Sequence, residues 1–325
     1  MKESVLIKFG TFDIGGKIML IDIHAHAYRL KRCDGKGMCT LDELIASQDR
    51  MGINMSCVLP IVSPEIYEPQ HAMDIVEMAE KRPDRIIPWC NLDPRAMANS
   101  PHAELEKILQ WYKDLGCKGI GEVMPQLEMK DPLMQNLFRA AEKVGLPLTW
   151  DGSDMHEGDF GVYDDPGLPQ LELSLQRFPN LIFLGHGPVF WSEFAKLETP
   201  GERCVHLNLD GHSCKNPVTK RSILAYAGKP FTEEGVMPKL MRRYPNLHGD
   251  LSDGTPLASL KRNLDYTAEF IREFEDRLYF GTDIVGPNFT EELSSTLAQW
   301  LKDGVITKSA YNKITHENAM RLLGL

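Results

Sequence analysis

No stretch of this sequence approaches the roughly 18 uninterrupted apolar residues that a membrane span requires. The N-terminus, MKESVLIKFGTFDIGGKIM, lacks an apolar core followed by a small-residue cleavage site. Neither a transmembrane protein nor a secretory leader is expected, and a cytoplasmic location is. Basic residues are in the minority: 36 Lys and Arg stand against 46 Asp and Glu, a formal net charge of −10. That balance argues against a sequence-independent grip on nucleic acid, which needs a basic stripe; it is explained by solubility alone. The seven cysteines are odd in number, irregular in spacing and contain no C-x-x-C pair. Cys57, Cys90 and Cys117 lie in or beside apolar runs, so buried thiols are expected rather than a disulfide framework. No G-x-G-x-x-G follows the first apolar run, which weakens a dinucleotide-binding reading.

What is present is alternation. Eight short apolar runs recur along the chain: MLIDIH (19–24), INMSCVLP (53–60), RIIPWC (85–90), CKGIGEV (117–123), LPLTWD (146–151), LIFLGH (181–186), NLHGDLS (246–252) and RLYFGTD (277–283). Several are apolar at consecutive positions, as in strands buried on both faces. Between them lie stretches with apolar residues at helical spacing, such as DELIASQDRMG, AELEKILQWYKDLG and LDYTAEFIREFE; three of the helical stretches end at Gly52, Gly116 or Gly145. A glycine there suits a left-handed helix cap. This pattern predicts an α/β fold, a single (β/α)8 barrel over residues 19–325, with an open doubly wound sheet as the alternative. Residues 1–18 precede the first strand, either as a hairpin capping the barrel or as an ill-ordered extension. Residues 199–230 form a polar insertion too long for an ordinary connection, expected to be a lid or an interface element.

The chemistry gathers at the ends of the apolar runs. His24 and His26 are two apart, so on a strand they share a side and can bite one cation; two ordinary polar residues leaving a strand would look the same. His186 and Asp283 also close apolar runs, and Glu122 nearly closes one. In a barrel these ends converge on one mouth, and buried His or carboxylate is costly unless paired or coordinated. Imidazole with carboxylate suits zinc, with manganese or iron as alternatives. Tyr28 and Arg29 follow on the first loop, where they would either bind a substrate carboxylate or be solvated. Trp150 and Trp191 would either wall a pocket or pack in the core. Asp250 would orient a ligand or cap its strand. Cys204, His206, His212 and Cys214 can be drawn as a second zinc site, but their spacing matches no zinc motif.

IDIHAHAY, LGHGPVFW, YPNLHGDLS, DRLYFGTD and the closing HENAMRLLGL resemble the barrel amidohydrolases, in the branch that holds aminocarboxymuconate-semialdehyde decarboxylase and resorcylate-type decarboxylases. The resemblance runs from Met19 to Leu325. It implies a metal-dependent enzyme in which His24 and His26 are ligands, Asp283 binds metal and shuttles a proton, His186 polarises substrate or activated water, and Glu122 is an additional or bridging ligand. One departure stands out. The family places a His at the end of the fifth strand, where this chain has Asp151. Asp151 then replaces the imidazole as an oxygen ligand, or His156 swings in, or the site holds metal weakly or not at all. Three readings of function follow: hydrolysis of an amide, lactone or ester of a small molecule; nonoxidative decarboxylation of an aromatic or dienoic acid; or a metal-free binding barrel. A homodimer is the default expectation for a soluble protein.

Overall fold

A computed structural model describes residues 19–31, 38–66, 70–157, 160–199, 203 and 228–325. The N-terminal extension and most of the insertion, with Cys204, His206, His212 and Cys214, lie outside the described residues.

Each apolar run contains a parallel strand. In chain order these are β1 (Ile21–Ala25), β2 (Met55–Val58), β3 (Ile86–Pro88), β4 (Ile120–Val123) and β5 (Leu148–Ser153), then a two-residue β6 (Val162–Tyr163), followed by β7 (Phe183–His186), β8 (Leu247–Asp250) and β9 (Leu278–Tyr279). β1 pairs with β2 and β2 with β3; β4, β5, β7, β8 and β9 form a second run of neighbours. Single bridges, Cys90 to Ile120 and Ala25 to Ile284, join the two runs at both ends and close the ring. β6 stands off this ring against the end of β5. The fold is a (β/α)8 barrel.

Local chemistry sets the helix boundaries. Helix Leu41–Met51 starts from Thr40, whose side chain accepts from the Glu43 amide while Glu43 reaches back to the Thr40 amide, a reciprocal capping box. Gly52, at φ 72°, ends it in the left-handed region, which costs a residue with a Cβ about 1–2 kcal/mol. Sequence periodicity also misses elements: the fully buried helix Gly187–Ser192 has no polar face to reveal it, and Leu293–Lys302 supplies the helix after β9.

Two apolar layers result. The larger lies between strands and helices. The smaller joins Ile21, Ile23, Cys57, Ile87, Trp89, Leu184 and Tyr279. β3 and β7 are not neighbours, so residues on them touch only across the barrel interior. Close packing beside β7 is tight: a Cβ on Gly185 would stand 2.5 Å from the Phe190 ring. Gly185→Ala is therefore expected to cost about 1–3 kcal/mol by overpacking, read as a lower urea midpoint at unchanged slope. Cys39, Cys57, Cys90 and Cys117 are free and buried, as expected for the three named from sequence. No helix among the described residues is long and apolar enough to cross a membrane.

Candidate metal centre

Because the barrel strands are parallel, their C-terminal ends meet at one rim. That rim brings together His24 and His26 from β1, Glu122 from β4, Asp151 from β5, His186 from β7, Asp250 from β8 and Asp283 beyond β9. His24 Nε2 and His26 Nε2 approach to 3.1 Å. Glu122 Oε2 lies 3.5 and 3.4 Å from these two nitrogens. Asp283 Oδ1 lies 3.8 and 3.2 Å from them.

The hydrogen bonds behind the imidazoles decide what those nitrogens are. His26 Nδ1 is 2.9 Å from the Leu59 carbonyl oxygen, which only accepts, so Nδ1 carries the proton. His24 Nδ1 is 2.7 Å from Asp250 Oδ2. The neighbouring imidazolium groups hold the buried Asp250 carboxyl far below the ordinary range, so it too accepts. In their neutral tautomers both rings therefore point a lone pair from Nε2 at the other, beside two carboxylate oxygens. Such a set demands positive charge. Burial alone would lower the pKa of each ring. For His24 the Asp250 and Glu122 carboxylates overcome this and push it up to about 10; for His26 Asp283 and Glu122 do the same, to about 10. A divalent cation meets the same demand. Ligands about 2.0–2.2 Å from a tetrahedral ion stand about 3.4 Å from one another, close to the spacings found. The donor set of two imidazoles and two carboxylates fits the metal that the sequence pattern implies.

On the far side of Glu122, its Oε1 lies 3.6 Å from His186 Nε2. His186 Nδ1 contacts Ser252 Oγ at 2.9 Å and lies 3.4 Å from Asp250 Oδ2. Asp151 pairs in register with His186 across β5 and β7. Its Oδ1 is buried without a hydrogen-bond partner. Burial first, and the nearby Glu122 charge second, push the Asp151 carboxyl well above the ordinary range. Asp151 groups with Glu122 and His186, while His24 and His26 group with Asp283.

Residues unforeseen from sequence hold the site in place. Asp22, fully buried, accepts from the His24 and Thr282 amides at 3.1 and 2.9 Å and from the Thr282 and Ser56 hydroxyls at 2.7 and 3.0 Å. It thereby fixes β1 to the segment carrying Asp283. Asn91 donates to the Glu122 carbonyl at 2.6 Å. The signal for Asp22 was an acid inside the apolar run IDIH.

Other expected substrate contacts are placed elsewhere. Trp150 is fully buried against Phe190: it neighbours Asp151 on a strand, so it faces the opposite side. Trp191 is buried too and donates to the Asp250 carbonyl at 2.9 Å. Both are core residues rather than pocket walls. The His156 side chain is 60% exposed and stacks on Tyr163, so it does not swing in to replace Asp151. Arg29 is exposed and Tyr28 is buried.

The class of protein defined so far is a parallel (β/α)8 barrel whose rim gathers imidazoles and carboxylates that could hold a metal ion. Residues 214–325 match the family model described as Amidohydrolase, which bears out the resemblance read from the motifs and, with it, the reading of the chain as an enzyme. No curated protein matches the chain by sequence. Solved structures similar to it include an uncharacterized TIM-barrel protein from Bordetella bronchiseptica, 18% identical with TM-score 0.57, covering 94% of this chain and 99% of that one. A probable 2-pyrone-4,6-dicarboxylic acid hydrolase from Acinetobacter baumannii is 12% identical with TM-score 0.54, over 95% and 100%. A 2,6-dihydroxybenzoate decarboxylase from Rhizobium is 14% identical with TM-score 0.51, over 95% and 99%. These likenesses are in fold.

Proposed function

We propose that this protein is a metal-dependent hydrolase that cleaves a neutral amide, lactone or ester of a small molecule. The approach of the His24 and His26 Nε2 atoms to 3.1 Å, flanked by two carboxylates, carries the proposal. His24, His26, Glu122 and Asp283 hold the ion, and their donor set suits zinc, with manganese or iron as alternatives. When bound, the ion supplies water made acidic near neutral pH and polarises a carbonyl.

The chain's own residues do the rest. Asp283 is the most open member of the four, its side chain 23% exposed. It accepts the proton of the attacking water and returns it to the leaving nitrogen or oxygen. His186, with Ser252 Oγ donating to its Nδ1, presents an Nε2–H to the acyl oxygen as charge develops there. Charge favours neutral substrates over acids. Glu122, Asp151, Asp250 and Asp283 gather at the rim with imidazoles as their partners, and among the described residues no Lys or Arg pairs with any of them within 4.0 Å. These groups have no Arg or Lys partner to share with a substrate carboxylate, which supports hydrolysis of a neutral substrate over decarboxylation.

The test uses zinc-loaded protein with neutral aryl esters, lactones and anilides in 18O-labelled water. Label in the acid product is expected, with turnover lost on chelation and restored by zinc. Turnover indifferent to chelation, or carbon dioxide released from an aromatic acid as the sole product, would overturn the proposal.

A further inference from the structure

The two halves of the barrel mouth differ. On one half the loops after β2, β3, β4 and β5 are tied together. Arg95 donates through Nη1 and Nη2 to Glu65 at 2.8 Å each, and through Nε and Nη2 to Asp93 at 2.8 and 2.7 Å. Glu65 also accepts from the Gln126 amide at 3.1 Å, and the Gln126 side chain donates to the Met155 carbonyl at 2.7 Å. On the other half solvent reaches the ligands: the Asp283 side chain is 23% exposed, against 5% for Glu122 and 4% for His186. A cavity of about 490 Å³ opens on that same half, between the segments that follow β8 and β9.

Both walls of this cavity start at residues of the metal centre. One runs from Ser252, which contacts His186, through Asp253 to Leu257 and Ala258. The other runs from Asp283 to Phe289 and Leu293. The Asp253 amide donates to the Thr282 carbonyl at 3.3 Å and so joins the walls at their base. The size suits part of a small molecule, since ligand pockets usually measure roughly 300–1,000 Å³. Its carbon surface comes from Leu257 and Leu293, which are buried, and from Ala258 and Phe289, which are half-buried. Its charged groups are the carboxylates of Asp253, Glu291 and Glu292 and a single cation, Lys261, which pairs with Glu292 at 3.1 Å.

We infer that this cavity receives the leaving group of the substrate, and that the leaving group is an apolar, uncharged aryl or alkyl amine or alcohol. The inference rests on the hydrolase reading above and names the half of the substrate that the chain selects. In that reaction the acyl–nitrogen or acyl–oxygen bond breaks and the water oxygen joins the acyl carbon. One water proton passes through Asp283 to the leaving atom, and the other stays with the acid formed. The leaving atom therefore stands beside Asp283, and what it carries extends along the wall that begins there. An apolar group laid against Leu257, Ala258 and Phe289 takes carbon surface out of water. The surplus of carboxylates repels an anion of the same shape. The tied half of the mouth offers no such room: the Arg95 guanidinium there is already held between Glu65 and Asp93.

The experiment uses the full chain with zinc and two readouts. The first is calorimetric binding of 2-naphthol, which needs no turnover, with 2-naphthalenesulfonate as an anionic probe of like size. The second is kcat/KM for 2-naphthyl acetate and methyl acetate, which share an acyl group. Ala258→Trp, and the milder Ala258→Met, fill the cavity from a half-buried position. Both are expected to weaken naphthol binding and to lower the naphthyl-to-methyl ratio of kcat/KM. In Ala258→Trp the ratio should fall at least about tenfold, since one methylene in an apolar pocket already discriminates about 10–200-fold. Wild type is expected to bind the sulfonate at least about tenfold more weakly than naphthol, as like charge disfavours a wrong partner. Binding and ratio untouched by both variants would overturn the subsite. A fall seen instead for methyl 2-naphthoate, which carries its rings on the acyl side, would overturn the assignment to the leaving group. Sulfonate bound as tightly as naphthol would overturn the preference for uncharged groups. Naphthol bound by wild type and lost in Ala258→Trp, with no ester turned over, would overturn the hydrolase reading and the leaving-group role while leaving an apolar binding site in place.

Discussion

Replacing His24 and His26 together by alanine is expected to remove the zinc ion and at least about three orders of magnitude of turnover. A bound Lewis acid is worth several kcal/mol of barrier lowering, and each ~1.36 kcal/mol is tenfold in rate. The single variants separate loss of the ion from damage to the fold. His26 leans on a backbone carbonyl through Nδ1, and His26→Ala leaves that oxygen without its partner, while Glu122 and Asp283 still have His24 within 4 Å. His24 is the close partner of Asp250, which is fully buried. His24→Ala strands that carboxylate, and breaking a buried pair in this way costs about 3–5 kcal/mol. Both variants should lose zinc by elemental analysis, but His24→Ala should show much the lower urea midpoint. Equal midpoints would mean that Asp250 is held by His186 and Ser252 rather than by His24. Retained zinc in the double variant would remove His24 and His26 from the metal site altogether.

How far the sequence discloses this site follows from the range of each interaction. His24 and His26 are legible because a strand puts i and i+2 on one side. Glu122, His186 and Asp283 are legible because a polar group closing an apolar run needs a reason to be there. Their convergence follows from the βα alternation, which predicts the barrel and hence the shared rim. The supporting contacts are of another kind. Asp250 reaches His24 across 226 residues of sequence, and Asp22 reaches Thr282 across 260. Such pairs exist only because the ring closes, and no local pattern announces them. Sequence leaves Trp150 open between pocket wall and core, and the fold decides it. Trp150 adjoins Asp151 in sequence, but alternation along a strand sends the two side chains to opposite faces. Asp151 itself reads from sequence as a substitute ligand at one centre. Three-dimensional placement gives it different companions, because Glu122 stands between it and His24.

Asp283→Asn is expected to lower kcat by about 10²–10⁴-fold, the range for loss of a positioned general base, with KM changed far less. The amide keeps an oxygen that can face His26 Nε2 but cannot take a proton from water and pass it on. The substitution suits the backbone as well. Asp283 sits at φ 58°, in the left-handed region that Asn and Asp tolerate better than other residues with a Cβ. Asp283→Ala would mix the chemical loss with backbone strain, so the asparagine variant isolates the proton. Asp22 and Thr282 do not touch the reacting groups and should hold the variant's main chain as in wild type. Steady-state kinetics on variant protein matched to wild type in zinc content gives the answer. A fall in kcat with KM nearly constant marks a group that acts in the transition state rather than in binding. A kcat within about tenfold of wild type, at equal zinc, would take the proton transfer away from Asp283. His186 would then be the rim imidazole left to perform it, and Asp283 would remain as a ligand alone.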